Sequence, residues 1–123
     1  MTVLNAAATL QIAGNFGTDY ATSTIEVLAG TNVLATHSTT SWAATNTGNN
    51  GTATAVLANS GAATITGAGI QTATSATITD GTEVITLTVG LSGSGADLIL
   101  NTLTYINGET STISSLVLTV PAS

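Results

Sequence analysis

The chain has no lysine, arginine or cysteine among its 123 residues. Six acids and one histidine leave a formal charge of −6. Each absence removes a class of function. Without Lys or Arg nothing can neutralise phosphates and release counterions, so DNA and RNA are not expected partners. Anionic membrane surfaces are excluded on the same ground. There is no guanidinium to clamp a carboxylate or phosphate and no amine for a Schiff base or phosphate-loop cation. Without cysteine there is no thiol nucleophile, disulfide or thiolate metal site. Aromatics are scarce at 3% and proline occurs once. No apolar run approaches the ~18 residues of a spanning helix. Met1-Thr2-Val3-Leu4-Asn5 lacks a basic stretch before an apolar one, so no secretory signal is expected.

What is present is alanine, threonine, glycine and scattered Val, Ile and Leu, with a mean hydropathy of +0.47. The length suits one domain with one core. A core of such small residues is thin, so burial completed by neighbouring subunits is expected.

The pattern is β almost throughout. Threonine fits a pleated surface through its branched Cβ. Thr24–Leu28 and Val33–His37 flank Ala29-Gly30-Thr31-Asn32, a hairpin with a four-residue loop. Thr52–Leu57 reads as a strand. Thr72–Thr79 runs through Asp80-Gly81 into Glu83–Val89, where Ile85, Leu87 and Val89 share one face. Asp97–Leu100 is short and apolar. Leu103–Ile106 precedes an Asn107-Gly108 turn. Leu116, Leu118 and Val120 alternate in a last strand that Pro121 ends. Asn15–Ala21 and Ser38–Asn50 read as loops. Residues 1–23 form an N-terminal arm or a short helix: Leu4, Ala7, Ala8 and Ile12 have helical spacing, while Thr9–Ala13 would also serve as an edge strand. Residues 24–121 carry the strands. The expected fold is an all-β antiparallel sandwich with at most one short N-terminal helix. No exact internal repeat occurs.

Few side chains offer chemistry. His37, the sole histidine, lacks any nucleophile motif around it, and a polar contact near a strand end is preferred to catalysis. Asp80 and Glu83 could pair to cleave a glycoside or hold calcium, but the run supplies too few oxygens, and a hairpin turn explains both. Asp97 reads as an Asx-type turn residue. Asn50-Gly51-Thr52 matches a glycosylation sequon, a chance event in so Asn- and Thr-rich a chain. No catalytic, cofactor-binding or metal-ligating residue is assigned, and no cofactor is expected. Trp42, the sole tryptophan, lies in the expected polar loop and is, with Leu4, the candidate for an interface buried against a neighbouring subunit.

Gly95-Ala96-Asp97-Leu98-Ile99-Leu100-Asn101, a spacer containing Gly108, and Ser115-Leu116-Val117-Leu118-Thr119-Val120-Pro121 together resemble a small protein that recurs among virion genes of tailed bacteriophages. Thr24–Thr31 resembles that group's first strand and turn. The match spans about Thr72 to Pro121 and is partial before that. The resembling proteins carry some basic residues and an aromatic central strand, where this chain has Gly67-Ala68-Gly69-Ile70-Gln71. The resemblance implies a non-enzymatic virion structural protein, located in the virion after assembly in the host cytoplasm. The leading expectation is a capsid decoration (cement) protein bound to the major capsid protein, as a homo-oligomer such as a trimer at three-fold sites. The alternatives are a tail tube, tip or fibre component bound to other tail proteins, a self-assembling cell-surface fibre or sheath subunit, and a polysaccharide hydrolase.

Overall fold

The computed structural model describes residues 3–122. The fold is β-rich with a single helix among the described residues, in agreement with the expected all-β sandwich. Helix α1 (Ala6–Asp19) is followed by β1 (Thr24–Ala29), β2 (Asn32–Thr47), β3 (Asn50–Leu57), a 3-10 turn (Ala58–Gly61), β4 (Ala62–Thr64), β5 (Ile70–Thr72), β6 (Ser75–Thr79), β7 (Val84–Leu87), β8 (Val89–Gly90), β9 (Leu98–Leu100), β10 (Thr104–Ile106) and β11 (Thr110–Val120). The main sheet runs β7-β6-β1-β2-β3-β11-β9-β8, with β4 also on β11, and β5 and β10 form a separate pair.

The two ends of this sheet are consecutive pieces of chain. Thr88 alone separates β7, paired with β6, from β8, paired with β9. The sheet therefore curls round into a nearly closed, barrel-like sandwich. Bringing the two ends together does not pair them: β7 bonds only to β6 and β8 only to β9, so each keeps one side without a strand partner. The pairing is antiparallel throughout except between β8 and β9, which run parallel. That departs from the all-antiparallel expectation. With β7 and β8 running on in one direction the circuit counts seven strands, and an odd ring of alternating strands must contain one parallel pair.

Asp97 fixes this junction. Its Oδ2 accepts from the Thr88 backbone N–H and hydroxyl, both at 3.2 Å, while its own N–H donates to Thr88 Oγ1 at 2.9 Å. The Leu98 N–H donates to the Thr88 carbonyl at 3.0 Å. Asp97 thus staples two strands nine residues apart, where an Asx turn within its own loop was expected.

Ile25, Val27, Leu34, Ala76, Ile78, Leu87, Leu98, Leu100, Tyr105 and Leu116 form one continuous core cluster. In β11 the inward set begins at Ser111 and Ile113 and resumes at Leu116. The parity changes because Ser114 is an extra residue opposite β9: Ile113 pairs with Leu100 and Ser115 with Ile99. A bulge of this kind swaps the faces of everything beyond it.

The expected strands appear near their expected positions. The first hairpin is tighter than expected, with Ala29 paired to Asn32 across a two-residue Gly30-Thr31 turn. Two expected loops are regular structure. Asn15–Asp19 continues α1, which Asn5 caps by accepting the Ala8 N–H at 2.8 Å. Ser38–Thr47 continues β2 and pairs residue by residue with β3 round a turn at Gly48-Asn49. Thr9–Ala13 is helical, not an edge strand.

Tertiary contact explains both corrections. Gly14 and Gly17 weaken a helix intrinsically, yet here they let α1 lie flat on the β2–β3 hairpin. A Cβ on Gly17 would meet the Trp42 Cβ at 2.9 Å. Gly51 faces the Thr9 carbonyl so closely that no Cβ could be accommodated without movement. The polar hairpin in turn gains one face turned toward α1, formed by Trp42, Ala44, Gly51 and Ala53, of which Gly51 and Ala53 are buried, Trp42 is half-buried and Ala44 stays exposed. That face reads as loop in sequence because three of its four members are alanine or glycine.

Candidate functional site

Trp42 lies in β2, not in a loop, and its partners are in its own chain. The indole N–H donates to the Tyr20 carbonyl at 2.6 Å. Its ring stands edge-on to Phe16 at 5.1 Å and 88°, and Phe16 stacks on Tyr20 at 4.4 Å and 11°. Such aromatic pairs contribute about 0.5–1.5 kcal/mol each beyond their buried area. Trp42 is half-buried, and it pins the C-terminal end of α1 to the hairpin. Leu4 is also half-buried, and its N–H donates to the Ala122 carbonyl at 2.7 Å, tying the start of the described chain to its end. The sequon residue Asn50 uses its side chain internally, with Oδ1 accepting from the Ala122 N–H at 3.0 Å.

The acids lie at turns. Asp80 Oδ1 accepts from the backbone N–H groups of Thr82 and Glu83, both at 2.9 Å, and these bonds hold its carboxyl below the usual carboxylate range. Glu83 is exposed just before β7. The pair forms a hairpin turn, as the preferred sequence reading has it. No group of three or more His, Asp or Glu side chains that could hold a metal occurs among the described residues.

Among the described residues two polar groups of side chains are buried: Ser23 with Thr39, whose hydroxyls are 2.7 Å apart, and a row centred on Ser111. His37 lies in mid-strand, not at a strand end, and is 4% exposed. Its Nε2 is 3.0 Å from Ser111 Oγ, and Ser111 Oγ is 2.6 Å from Tyr105 Oη. Ser111 and Tyr105 are buried still more completely. β2, β10 and β11 thus supply one side chain each to a short hydrogen-bonded row. Burial pushes the His37 pKa down, and the nearby Gly61 carbonyl opposes this only in part. Burial likewise pushes the Tyr105 phenol up, with Ser111 acting the other way. His37 Nδ1 has no hydrogen-bond partner among the described residues. A neutral ring is the form this environment favours, since a buried cation without a counter-charge is strongly disfavoured.

A serine between a histidine and a tyrosine has the outline of an activated nucleophile. All three side chains are buried inside the barrel. What the row does is join three strands across the core. Neither Ser111 nor Tyr105 is legible as a partner of His37 in the sequence, since 74 residues separate His37 from Ser111. The one hint is that Ser111 shares the inward parity of Ile113. Comparison with protein-family models, curated proteins and solved structures finds no match.

Proposed function

We propose that the protein is a non-enzymatic structural component of a tailed-phage virion, a decoration (cement) protein that stabilises the shell by contacts with the major capsid protein. The observation that carries this reading is a β body without a pocket among the described residues, whose surface bears no lysine or arginine and only six scattered acids. Between Glu26 and Asp80 no acid, lysine or arginine occurs, and this stretch supplies β2 to β6. Large apolar side chains stand out from the body, with Ile70 72%, Val84 64% and Val56 51% exposed. Ile70 and Ile106 are directly opposite each other across the β5–β10 pair. Such a surface suits burial against other subunits through apolar and hydroxyl side chains.

The residues that carry the phage resemblance support the reading in a specific way. Asp97 staples the barrel junction, Leu98, Leu100 and Leu116 fill the core, and the Leu116–Val120 ending forms the final strand. The shared pattern is therefore a pattern of closing this fold, and it carries no chemical site. The test is the protein's copy number and position in purified particles, together with a deletion. Particles lacking the protein should assemble but rupture at lower temperature or under milder osmotic shock. Loss of tails or infectivity with unchanged shell stability moves the assignment to the tail. Absence of the protein from purified virions defeats both.

A further inference from the structure

Besides the short outer edges of β4, β5, β7, β8 and β10, the fold leaves a longer edge free within β2. β2 pairs with β1 only as far as Ser38, and the Thr39 N–H reaches the Ser23 carbonyl at 3.0 Å. From Thr40 to Thr47 the strand pairs with β3 on one side, and no backbone group of this stretch bonds to any other segment among the described residues. The segment is Thr-Ser-Trp-Ala-Ala-Thr-Asn-Thr, without charge, proline or glycine. Natural sheets guard such edges with lysine, proline, bulges or covering elements. Here the bulge lies at the segment's start, between Thr39 and Ser41. Helix α1 covers one face through Trp42, Ala44 and Asn46, whose Nδ2 donates to the Ala6 carbonyl at 3.0 Å. It does not pair with the edge.

We propose that this edge pairs antiparallel with the same edge of a second copy of the chain, joining two hairpins into one continuous sheet. A second copy meets no carboxylate on the strand itself, since none of residues 40–47 is charged. The edge is also self-complementary. A two-fold axis perpendicular to the sheet keeps facing residues on the same side, so it must pass through a residue pairing with its own counterpart. The middle of the segment places that residue at Ala43 or Ala44, and either side chain is small enough to meet itself. Both α1 helices then lie on one face. The other face continues the open row of Ser41, Ala43, Thr45, Thr52, Thr54 and Val117, small or hydroxyl-bearing side chains throughout. This association belongs to the isolated protein and does not depend on the virion reading.

Analytical ultracentrifugation of the purified chain tests it. The unaltered protein should sediment as a dimer. A43D places two carboxylates beside the axis and should give a monomer with an unchanged circular dichroism spectrum. T54D puts the same charge on the same face but on the inner strand, and it should remain dimeric. A monomeric unaltered protein, or a dimer that persists in A43D, overturns the proposal. Should A43D fail to fold, hydrogen exchange on the unaltered protein decides: the amides of 40–47 that point away from β3 should be protected at high concentration and lose that protection on dilution. Fast exchange there at every concentration overturns it, as does protection gained only when a different protein is added.

Discussion

At the residue scale, His37 makes stability depend on pH. Its pKa is lowered in the folded state from 6.5, chiefly by burial. Between the lowered value and 6.5 the unfolded chain binds a proton that the folded chain refuses, so stability rises with pH across that window. Unfolding free energy from urea titrations should therefore fall as pH drops below about 6.5 and level off once the buried ring is itself protonated. H37Q removes the titrating group and should flatten that limb, whatever it does to stability at neutral pH. Asp80 acts in a lower window. Its pKa is depressed from 3.8 by the Glu83 and Thr82 N–H groups, so its contribution is present above that value and is lost as pH falls further. A limb that keeps its slope in H37Q just below pH 6.5 would show that the loss of stability comes from another group.

At the element scale, two small features hold large pieces together. Asp97 bonds Thr88 at the point where β7 becomes β8. D97A should cost on the order of 1 kcal/mol, since the carboxylate is partly solvated. It should also speed exchange at the Thr88 and Leu98 amides before it affects β1 or β2. D97N should recover part of both effects, because its amide oxygen can still accept. Gly51 lets α1 approach β3. G51A forces a Cβ against the Thr9 carbonyl and should cost about 1–3 kcal/mol by overpacking. Because α1 carries Phe16 against Trp42, the same substitution should shift the tryptophan emission. Both effects are read by thermal or urea unfolding. These features also mark where the sequence stops being legible. The alternation of Ile85, Leu87 and Val89 and of Leu116, Leu118 and Val120 announces their strands, and Asp80-Gly81 and Asn107-Gly108 announce their turns. Ser38–Thr47 hides its strand because the side it turns to α1 is Trp42, Ala44 and Asn46, of which only Trp42 is even half-buried, and its neighbour is a helix from the far end of the chain. The site is less legible still. His37 is conspicuous as the sole histidine, but its partners lie on strands that only the folded barrel brings beside it.

At the scale of the whole molecule, the missing cations decide how it meets others. No Lys or Arg exists to form an ion pair, so any salt bridge at an interface takes its cation from a different protein. Acids flank the uncharged run at Glu26 and Asp80, and the exposed apolar side chains include Ile70 and Val84. Contacts made through these apolar and threonine surfaces contain little charge to screen. Affinity for a shell partner, or for a second copy, should therefore change little between low and physiological salt, in contrast to charge-steered association. Nucleic acid gives the opposite control. A binder that neutralises several phosphates loses affinity steeply with salt, with a slope set by the number of cations engaged. This chain has only His37 to offer, and that ring is buried and favours its neutral form. Duplex DNA should not shift in a mobility assay at micromolar protein, even at low salt. Salt-sensitive micromolar binding would require a cationic surface that the sequence does not contain, and would remove the physical basis for placing the molecule on the outside of a shell.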